Sequence, residues 1–401
     1  MAILNGILGI VIIFCIAFLL SNNRKKINWR TVIIGFAIQL LFAFVALKWS
    51  VGQLVLSKIS LGIQSIIDYA KEGIVFMFGS LAEDGSIFCV NVLTVIIFIS
   101  AIVSVLYYLG IMQIIIKIIG GGLSKLLGTS KLESVSAAAN IFLGQTEAPL
   151  LIKPYVTKLT ESELFTVMVG GLASVSGSIL VGYSMLGIPI EYLVSASFMA
   201  APAGLIISKI ILPETTDSKH LNGEFTMVKD DSANIVDAAS KGALDGLGLV
   251  LNIGAILLAF VALIALVNGL IGWIGVLFGI SNLSLQTILG YIFSPIAVAI
   301  GVPFKEAVTA GSLIGQKLVL NEFVAFTNLA PLVDVISPKT TAIVTFSLCG
   351  FANISSIAIL IGGIGGMAPE RKHDIARLGW KAVIGGTLAN LLSAAIAGML
   401  F

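Results

Sequence analysis

The sequence predicts an all-α polytopic membrane protein. Of its 401 residues, 58% are hydrophobic and only 11% are charged, whereas soluble globular chains carry about 25% charged residues. The apolar residues form long unbroken runs that suit helices crossing about 30 Å of hydrocarbon, not the alternating segments of a membrane β-barrel. These two observations exclude a water-soluble enzyme. The net charge of +2 also argues against nucleic-acid binding, which needs a basic stripe.

Three spans are predicted near the N-terminus. Residues 2–21 and 31–49 are apolar runs of spanning length. The loop between them holds four basic residues, so the positive-inside rule places it in the cytoplasm and the N-terminus outside. Residues 55–70 have an apolar face at helical spacing and predict an interfacial helix. Residues 89–109 form the third span.

The next region predicts a re-entrant hairpin and an interrupted span. An amphipathic piece at 111–128 precedes residues 131–159, which are apolar but interrupted at 144–149. Each arm has about 12 residues, too few to cross the bilayer and suitable for a re-entrant hairpin. Residues 164–187 form a full-length run interrupted by glycines and serines, and 191–212 form a plain span.

The second half is predicted to repeat this order after a polar loop at 213–242 and a long span at 243–272. Residues 285–329 form two apolar arms, with glycine-rich interruptions at 301–303 and 311–315. An interrupted run and a last span follow. They are residues 340–363, broken at 350–356, and residues 378–401.

The order of hairpin, interrupted span and plain span therefore occurs twice, as an inverted repeat. Such paired interruptions in two halves are the sequence pattern of a transporter site near the membrane midplane. We predict four units: 1–109 as N-terminal scaffold helices with an interfacial helix, 110–212 as the first transport repeat, 213–284 as a cytoplasmic loop and long scaffold helix, and 285–401 as the second transport repeat.

Glu147 and Glu322 are the main candidates for binding a solute or ion. A carboxylate within an apolar segment costs roughly 2.5–3.5 kcal/mol, so it normally faces a cavity or a partner. The alternative is a purely structural pair with Lys153 or Lys317. Amide and hydroxyl groups beside the interruptions suit a neutral, hydroxyl-rich solute, and the lack of arginine between residues 31 and 370 argues against a phosphorylated one.

Polar residues at the other interruptions have competing interpretations. Ser176, Ser178 and Ser355 are small enough to serve close helix packing alone. Asn353 favours a functional role, because an asparagine within an apolar span is costly without a partner. Asn140 could supply a hard oxygen ligand to Na⁺ together with free carbonyls, or could only cap the hairpin.

Four motifs in this order resemble the concentrative nucleoside transporter family. They are Gly144-Gln145-Thr146-Glu147-Ala148-Pro149-Leu150, Ala173-Ser174-Val175-Ser176-Gly177-Ser178, Lys317 with Asn321-Glu322-Phe323-Val324-Ala325, and Phe351-Ala352-Asn353-Ile354-Ser355-Ser356-Ile357. The resemblance implies eight transmembrane helices, two re-entrant hairpins, interfacial helices, a homotrimer and an elevator-type transport part in each protomer.

The resemblance also implies residue roles. The nucleobase side would be contacted by Gln145, Thr146 and Glu147. The ribose hydroxyls would be held by Glu322, Asn353 and Ser356, while Phe351 packs against the nucleoside and Ile179 adds a substrate contact. The sodium site would consist of the Asn140 and Ser174 side chains with the carbonyls of Leu143 and Val175. Proton-coupled members tend to lose that asparagine, so Asn140 favours Na⁺ over H⁺.

The expected function is cation-coupled import of nucleosides across the cytoplasmic membrane, with Na⁺ or H⁺ as coupling ion and no other cofactor. An intramembrane enzyme would need a metal-binding acidic pair, a His/Cys set or a nucleophile–base pair, and the sequence offers none of these. A passive channel and a secondary transporter of another neutral polar solute remain alternatives. Purine or pyrimidine preference and the coupling stoichiometry do not follow from the sequence.

Overall fold

The computed structural model describes residues 2–83, 87–216, 227–228, 230–280 and 283–401, and all regular elements in these ranges are helical. The α-helices are α1 (Ala2–Leu19), α2 (Trp29–Leu47), α3 (Ser50–Phe78), α4 (Ser80–Glu83), α5 (Thr94–Tyr108), α6 (Ile111–Leu127), α7 (Lys131–Ala139), α8 (Glu161–Ala173), α9 (Gly177–Met185), α10 (Ile190–Ile211), α11 (Ile235–Leu277), α12 (Leu285–Ala299), α13 (Ala307–Val319), α14 (Glu322–Leu329), α15 (Pro338–Leu348), α16 (Ser356–Met367) and α17 (Lys372–Leu400).

Eight spanning elements are confirmed in the described part of the chain. Seven helices there are long and apolar enough to cross a membrane, and six of them coincide with predicted spans. The predicted first span, α1, and the interrupted span made of α15 and α16 complete the eight. The seventh long helix, α3, is longer than the predicted 55–70. Its length and composition would let it cross, and its interfacial position stays a prediction.

The two repeats are visible in the element order. In the first, α6 precedes a hairpin made of α7 and the 3₁₀ helix Ala148–Lys158, and the span interrupted between α8 and α9 leads into α10. In the second, α12 precedes a hairpin made of α13 and α14, and the span interrupted between α15 and α16 leads into α17. Each repeat thus includes a leading helix, because α6 packs on α7 and α12 packs on α13.

At 285–329 the predicted interruption at 301–303 is confirmed, since α12 ends at Ala299 and α13 begins at Ala307, but the one predicted at 311–315 is wrong. This region contains three helices, and the hairpin turns at Leu320-Asn321 rather than at the glycines. Gly311 and Gly315 lie within α13 without interrupting it, and they allow α13 to pack closely on α12. A β-carbon on Gly311 would lie 2.6 Å from the Ser294 nitrogen, and one on Gly315 would lie 2.8 Å from the Phe293 ring, both in α12.

The predicted polar loop 213–242 ends earlier than expected, and its residues 217–226 and 229 lie outside the described part. Helix α11 begins at Ile235, before the apolar run. The side chain of Asn234 accepts a hydrogen bond from the Asp237 backbone at 3.0 Å, while the Asp237 carboxylate accepts from the Ala233 backbone at 2.8 Å. This capping starts the helix within the polar segment.

Helix packing separates a buried core from a pair of helices that is more exposed. The spans of α8–α9 and of α10 are each 94% buried over their most apolar window, whereas that of α11 is 6% buried. Helix α11 packs mainly on α5, and β-carbons on Gly242 and Gly246 would lie 2.5 Å from Ser104 and 2.8 Å from Ile97. In contrast, α1 packs on α17 and α2 packs on α10. These two N-terminal helices are therefore associated with the repeats rather than with α5 and α11.

Candidate functional site

The two interrupted spans meet at their breaks. The backbone nitrogen of Phe351, in the second break, donates to the carbonyl of Ser174, in the first, at 3.2 Å. The side chain of Asn390, in α17, donates to the carbonyls of Ala173 at 2.6 Å and Cys349 at 3.1 Å. Since helix ends leave carbonyls without intrahelical partners, these bonds satisfy groups that the breaks expose in the core.

Glu322 lies at the start of α14, beside the second break. Its helix is capped by Asn321, whose side-chain oxygen accepts from the Val324 backbone at 2.8 Å. The carboxylate accepts hydrogen bonds from Asn353 Nδ2 at 3.0 Å and from the Tyr183 hydroxyl at 3.4 Å. Glu322 is only 7% exposed. It is therefore a buried acceptor held by two donors, one from α9 and one from the second break.

Asn353 is held in one orientation by the two serines that follow it. Its side-chain oxygen accepts from the Ser355 hydroxyl at 2.7 Å and the Ser356 backbone at 2.9 Å, and it shares the single proton of the Ser356 hydroxyl, 3.0 Å away, with the Phe351 carbonyl. With the oxygen occupied in this way, the amide nitrogen must point toward Glu322. Ser355 is thus more than a small packing residue, because it positions Asn353.

The tip of the first hairpin packs on both interrupted spans. Gln145 lies against Gly171 of α8, since a β-carbon added to Gly171 would fall 2.9 Å from the Cβ of Gln145. Thr146 lies against Gly363 of α16, where a β-carbon would fall 2.6 Å from its Cγ2. Glu147 accepts from the Gly144 backbone at 3.0 Å. The tip therefore sits between the two repeats.

A cavity of about 380 Å³ lies beside this tip, between the first hairpin and the α5–α11 pair. Glu147 and Ser178 line it on the hairpin side, and Tyr107 and Asp245 line it on the other side. Glu322 and Asn353 are not among its lining residues. Of the predicted substrate residues, only Glu147 lines this cavity, whereas Glu322 and Asn353 lie at the second break.

Two of the predicted cation ligands, Asn140 and Ser174, lie beside Gly170 in the last turn of α8. Asn140 is 2% exposed, follows the last residue of α7 and lies beside Gly170, where a β-carbon would be 3.3 Å from its Nδ2. The Ser174 hydroxyl donates to the Gly170 carbonyl at 3.0 Å. Both polar atoms of the Asn140 side chain are buried without a hydrogen-bond partner among the described residues. Capping of the hairpin therefore does not account for this side chain.

The structural ion pairs considered from the sequence are not formed among the described residues. Lys153 is exposed and forms no ion pair with Glu147. Lys317 is buried, but its ammonium donates to the Ser347 carbonyl and to Asn390 rather than to Glu322.

Two residues of this region were missed from the sequence. Tyr183 lies one turn after Ile179 in α9, its hydroxyl contacts Glu322, and its ring stacks on Phe326 with centroids 4.2 Å apart. Asn390 joins both breaks. Asn390 could have been found from the sequence. Like Asn353, it is an asparagine within an apolar span, where it is costly without a partner.

Family models of three regions match nearly the whole chain. Residues 8–81 match the N-terminus of the Na⁺-dependent nucleoside transporters, and residues 192–398 match their C-terminus. Residues 89–189 match a model described as nucleoside recognition. The third model covers the first hairpin and the first interrupted span.

Similar proteins agree with these matches. The chain is 58% identical to the uncharacterized transporter YutK of Bacillus subtilis over 100% of both chains. It is 47% identical to the nucleoside permease NupC of Helicobacter pylori, over 99% of this chain and 97% of the permease.

Solved structures agree as well. CNTnw in an inward-facing substrate-bound state is 50% identical, with a TM-score of 0.94, and covers 100% of this chain and 98% of its own. The confirmed fold class is an all-helical inverted repeat with two re-entrant hairpins, and the family consists of transporters rather than enzymes. This chain belongs to the concentrative nucleoside transporter family.

Proposed function

We propose that this chain imports nucleosides by symport with Na⁺. The observation that carries the proposal is the double role of Ser174. Its hydroxyl lies at the first break with Asn140, and its carbonyl accepts from the Phe351 backbone in the second break, next to the Glu322–Asn353 pair. An ion that orders the first break therefore also orders the backbone of the second.

The second break fits the ribose of a nucleoside. Glu322 offers carboxylate oxygens that accept from hydroxyl groups, and Asn353 offers an amide that donates to them, with Ser356 positioning Asn353. Phe351 offers an aromatic face for packing. We therefore propose that Glu322, Asn353, Ser356 and Phe351 bind the ribose side of the substrate.

The first hairpin fits the nucleobase. Gln145, Thr146 and Glu147 follow one another at the tip, and they carry both donors and acceptors of the kind that base edges need. Glu147 also lines the 380 Å³ cavity. Ile179, two residues after the start of α9, is 7% exposed and supplies apolar contact. We propose that these four residues contact the base.

The ligand set around Asn140 suits Na⁺. The proposed ligands are the side-chain oxygens of Asn140 and Ser174 and the carbonyl oxygens of Leu143 and Val175, all of which are hard oxygen donors. The Phe142 carbonyl, next to Leu143, accepts from the Gly177 backbone at 2.9 Å and so joins the hairpin turn to the first break. Unwound carbonyls at half-helix ends are the usual Na⁺ ligands in such transporters.

Coupling then follows from the shared backbone. Na⁺ and nucleoside each favour the same ordered arrangement of the two breaks, so binding of one raises the affinity for the other by an equal factor. We propose that the repeats with α1 and α2 form the moving part and that α5 and α11 form the scaffold. This division moves α1 and α2 out of the predicted scaffold unit 1–109, on the basis of their packing.

Assembly and orientation are part of the same proposal. We propose a homotrimer in the cytoplasmic membrane with the N-terminus outside, supported by the basic loop at 22–30. Native mass spectrometry in detergent would show the subunit number, and any number other than three would contradict the trimer. Labelling of a cysteine added at the N-terminus by a membrane-impermeant reagent on intact cells tests the orientation, since protection would contradict it.

Proteoliposomes with an inward Na⁺ gradient are expected to accumulate labelled uridine or adenosine above the external concentration. The measurement is initial uptake with Na⁺, with choline, and with an inward H⁺ gradient in choline. Unlabelled nucleosides should compete and free ribose should not. Uptake driven by H⁺ alone would show that H⁺, and not Na⁺, is the coupling ion. Equilibration without accumulation would indicate a channel. The lack of any nucleoside uptake would overturn the proposal.

Asn140→Ala is expected to raise the Na⁺ concentration for half-maximal uptake by at least about tenfold, because a hydrogen bond or ligand contact to a charged group is worth roughly 1.5–3 kcal/mol. The measurement is uridine uptake as a function of Na⁺ concentration. Ser136→Ala is the control, since Ser136 lies one turn earlier in α7 and is also buried. An unchanged Na⁺ dependence in Asn140→Ala would remove the proposed site.

A further inference from the structure

Lys317 is a buried cation that the proposed transport cycle does not use. It lies in the last turn of α13, only 2% exposed. Its Nζ donates to the Ser347 carbonyl at 2.9 Å and to Asn390 Oδ1 at 2.6 Å. Among the described residues no carboxylate oxygen lies within 4.0 Å of this Nζ, and Glu322 interacts with it electrostatically without direct contact. A charge buried in this way persists only where other groups compensate it.

The oxygen of Asn390 is fixed toward this ammonium. The amide nitrogen of Asn390 is already committed to the carbonyls of Ala173 and Cys349, so its oxygen must face Lys317. The ammonium is therefore held by neutral oxygens, one from a carbonyl and one from an amide. This is the kind of ligand set that binds a small metal cation.

The position of Lys317 corresponds to the position of Asn140 in the first repeat. Asn140 ends the first arm of the first hairpin and lies beside the last turn of α8. Lys317 lies near the end of the first arm of the second hairpin and contacts Ser347 in the last turn of α15. In both repeats the C-terminal end of the first half of a broken span carries free carbonyls and the negative end of a helix dipole, which favour a cation.

We propose that the Lys317 ammonium is a resident cation that occupies, in the second repeat, the place that the coupling ion takes in the first. It stabilises the end of α15 and, through Asn390, the crossing of the two breaks. The second repeat then needs no ion from solution, so each protomer couples transport to one ion. This last step rests on the proposed Na⁺ site at Asn140.

The test uses the full-length protein purified in detergent, without nucleoside. Lys317→Met keeps an unbranched side chain, one heavy atom shorter and without the charge, and is expected to lower Tm by roughly 3–6 °C. Lys317→Ala opens space for a small cation. We expect ethylammonium chloride at tens of millimolar to restore at least half of the Tm lost in Lys317→Ala, while the larger choline ion restores none.

The matched control is Gly350→Ala, a variant expected to destabilise the same crossing without removing a charge. Ethylammonium should not raise its Tm, or that of the wild type. A wild-type Tm in Lys317→Met would overturn the proposal, and so would a Tm of Lys317→Ala that ethylammonium does not raise. If neither variant can be purified, Lys317→Arg must still yield a folded transporter because it keeps the charge, and its failure would count against the proposal.

The proposal for Lys317 and the proposed Na⁺ site are tested by different measurements. Rescue of Lys317→Ala is read from Tm without substrate, whereas the Asn140 site is read from the Na⁺ dependence of uptake. An Asn140→Ala variant with unchanged Na⁺ dependence would contradict only the link between Lys317 and ion coupling. It would not contradict the proposal that Lys317 is a resident cation. Wild-type uptake is expected to rise with Na⁺ with a Hill coefficient near 1, and a value near 2 would contradict one ion per protomer.

Discussion

Glu322→Gln is expected to lower nucleoside uptake by about 100-fold at substrate concentrations below KM. The carboxylate accepts from Asn353 and from Tyr183, and we propose that it accepts from the ribose as well. A glutamine has nearly the same shape, but its amide nitrogen would face one of these donors and could not accept from it. Hydrogen bonds to a charged group contribute roughly 1.5–3 kcal/mol, and the upper end of this range is about a hundredfold.

The measurement is the initial rate of Na⁺-driven uridine uptake per reconstituted protein. Glu161→Gln is the matched control, because Glu161 is an exposed glutamate whose pairing with Arg377 lies on the surface and contributes little. Tyr183→Phe removes only the longer of the two hydrogen bonds to Glu322 and should cause a loss of several-fold. Full uptake by Glu322→Gln would eliminate the ribose-binding role.

Gly350→Ala is expected to disrupt the crossing of the interrupted spans. A β-carbon at residue 350 would lie 2.3 Å from Asn390 Oδ1 and 2.9 Å from the Ala173 carbonyl. Asn390 cannot move away without losing its bonds to the two breaks and to Lys317. Overpacking costs about 1–3 kcal/mol, and the loss of buried hydrogen bonds adds about 1–3 kcal/mol.

The expected result is a Tm lower by roughly 2–7 °C in detergent, together with loss of uptake. The measurement is thermal unfolding followed by tryptophan fluorescence. Gly362→Ala is the matched control, since a β-carbon there meets nothing within 4 Å and alanine favours the helix α16. Equal Tm values for the two variants would show that the crossing tolerates a side chain at residue 350.

Much of the fold could be predicted because it follows from local properties. Apolar runs of about 20 residues must become spans, and an interrupted run must place its break where protein rather than lipid surrounds it. The repeat became visible for the same reason, since residues 144–149 and 350–356 interrupt runs that are otherwise apolar. The start of α11 was placed too late because hydropathy does not report a capping asparagine in a polar segment.

The errors at 285–329 have a different origin. Gly311 and Gly315 look like an interruption, yet they allow α13 to approach α12 closely. A glycine that packs and a glycine that breaks a helix look the same along the chain, because what distinguishes them is the neighbouring helix. The turn of the second hairpin at Leu320-Asn321 is marked only by the capping side chain of Asn321.

The sequence by itself determined that this is a helical membrane transporter with two interrupted repeats, and it identified Glu147, Glu322, Asn140 and Asn353 as candidates. These conclusions depend on the cost of polar groups in hydrocarbon, which applies to each segment separately. Only the tertiary structure decided the partners of those groups. It paired Glu322 with Asn353 and Tyr183 rather than with Lys317, and it joined the two breaks through Ser174 and Asn390. Hydrogen bonds of this kind join residues as far apart as 217 positions, and such pairings arise only when the whole chain is folded.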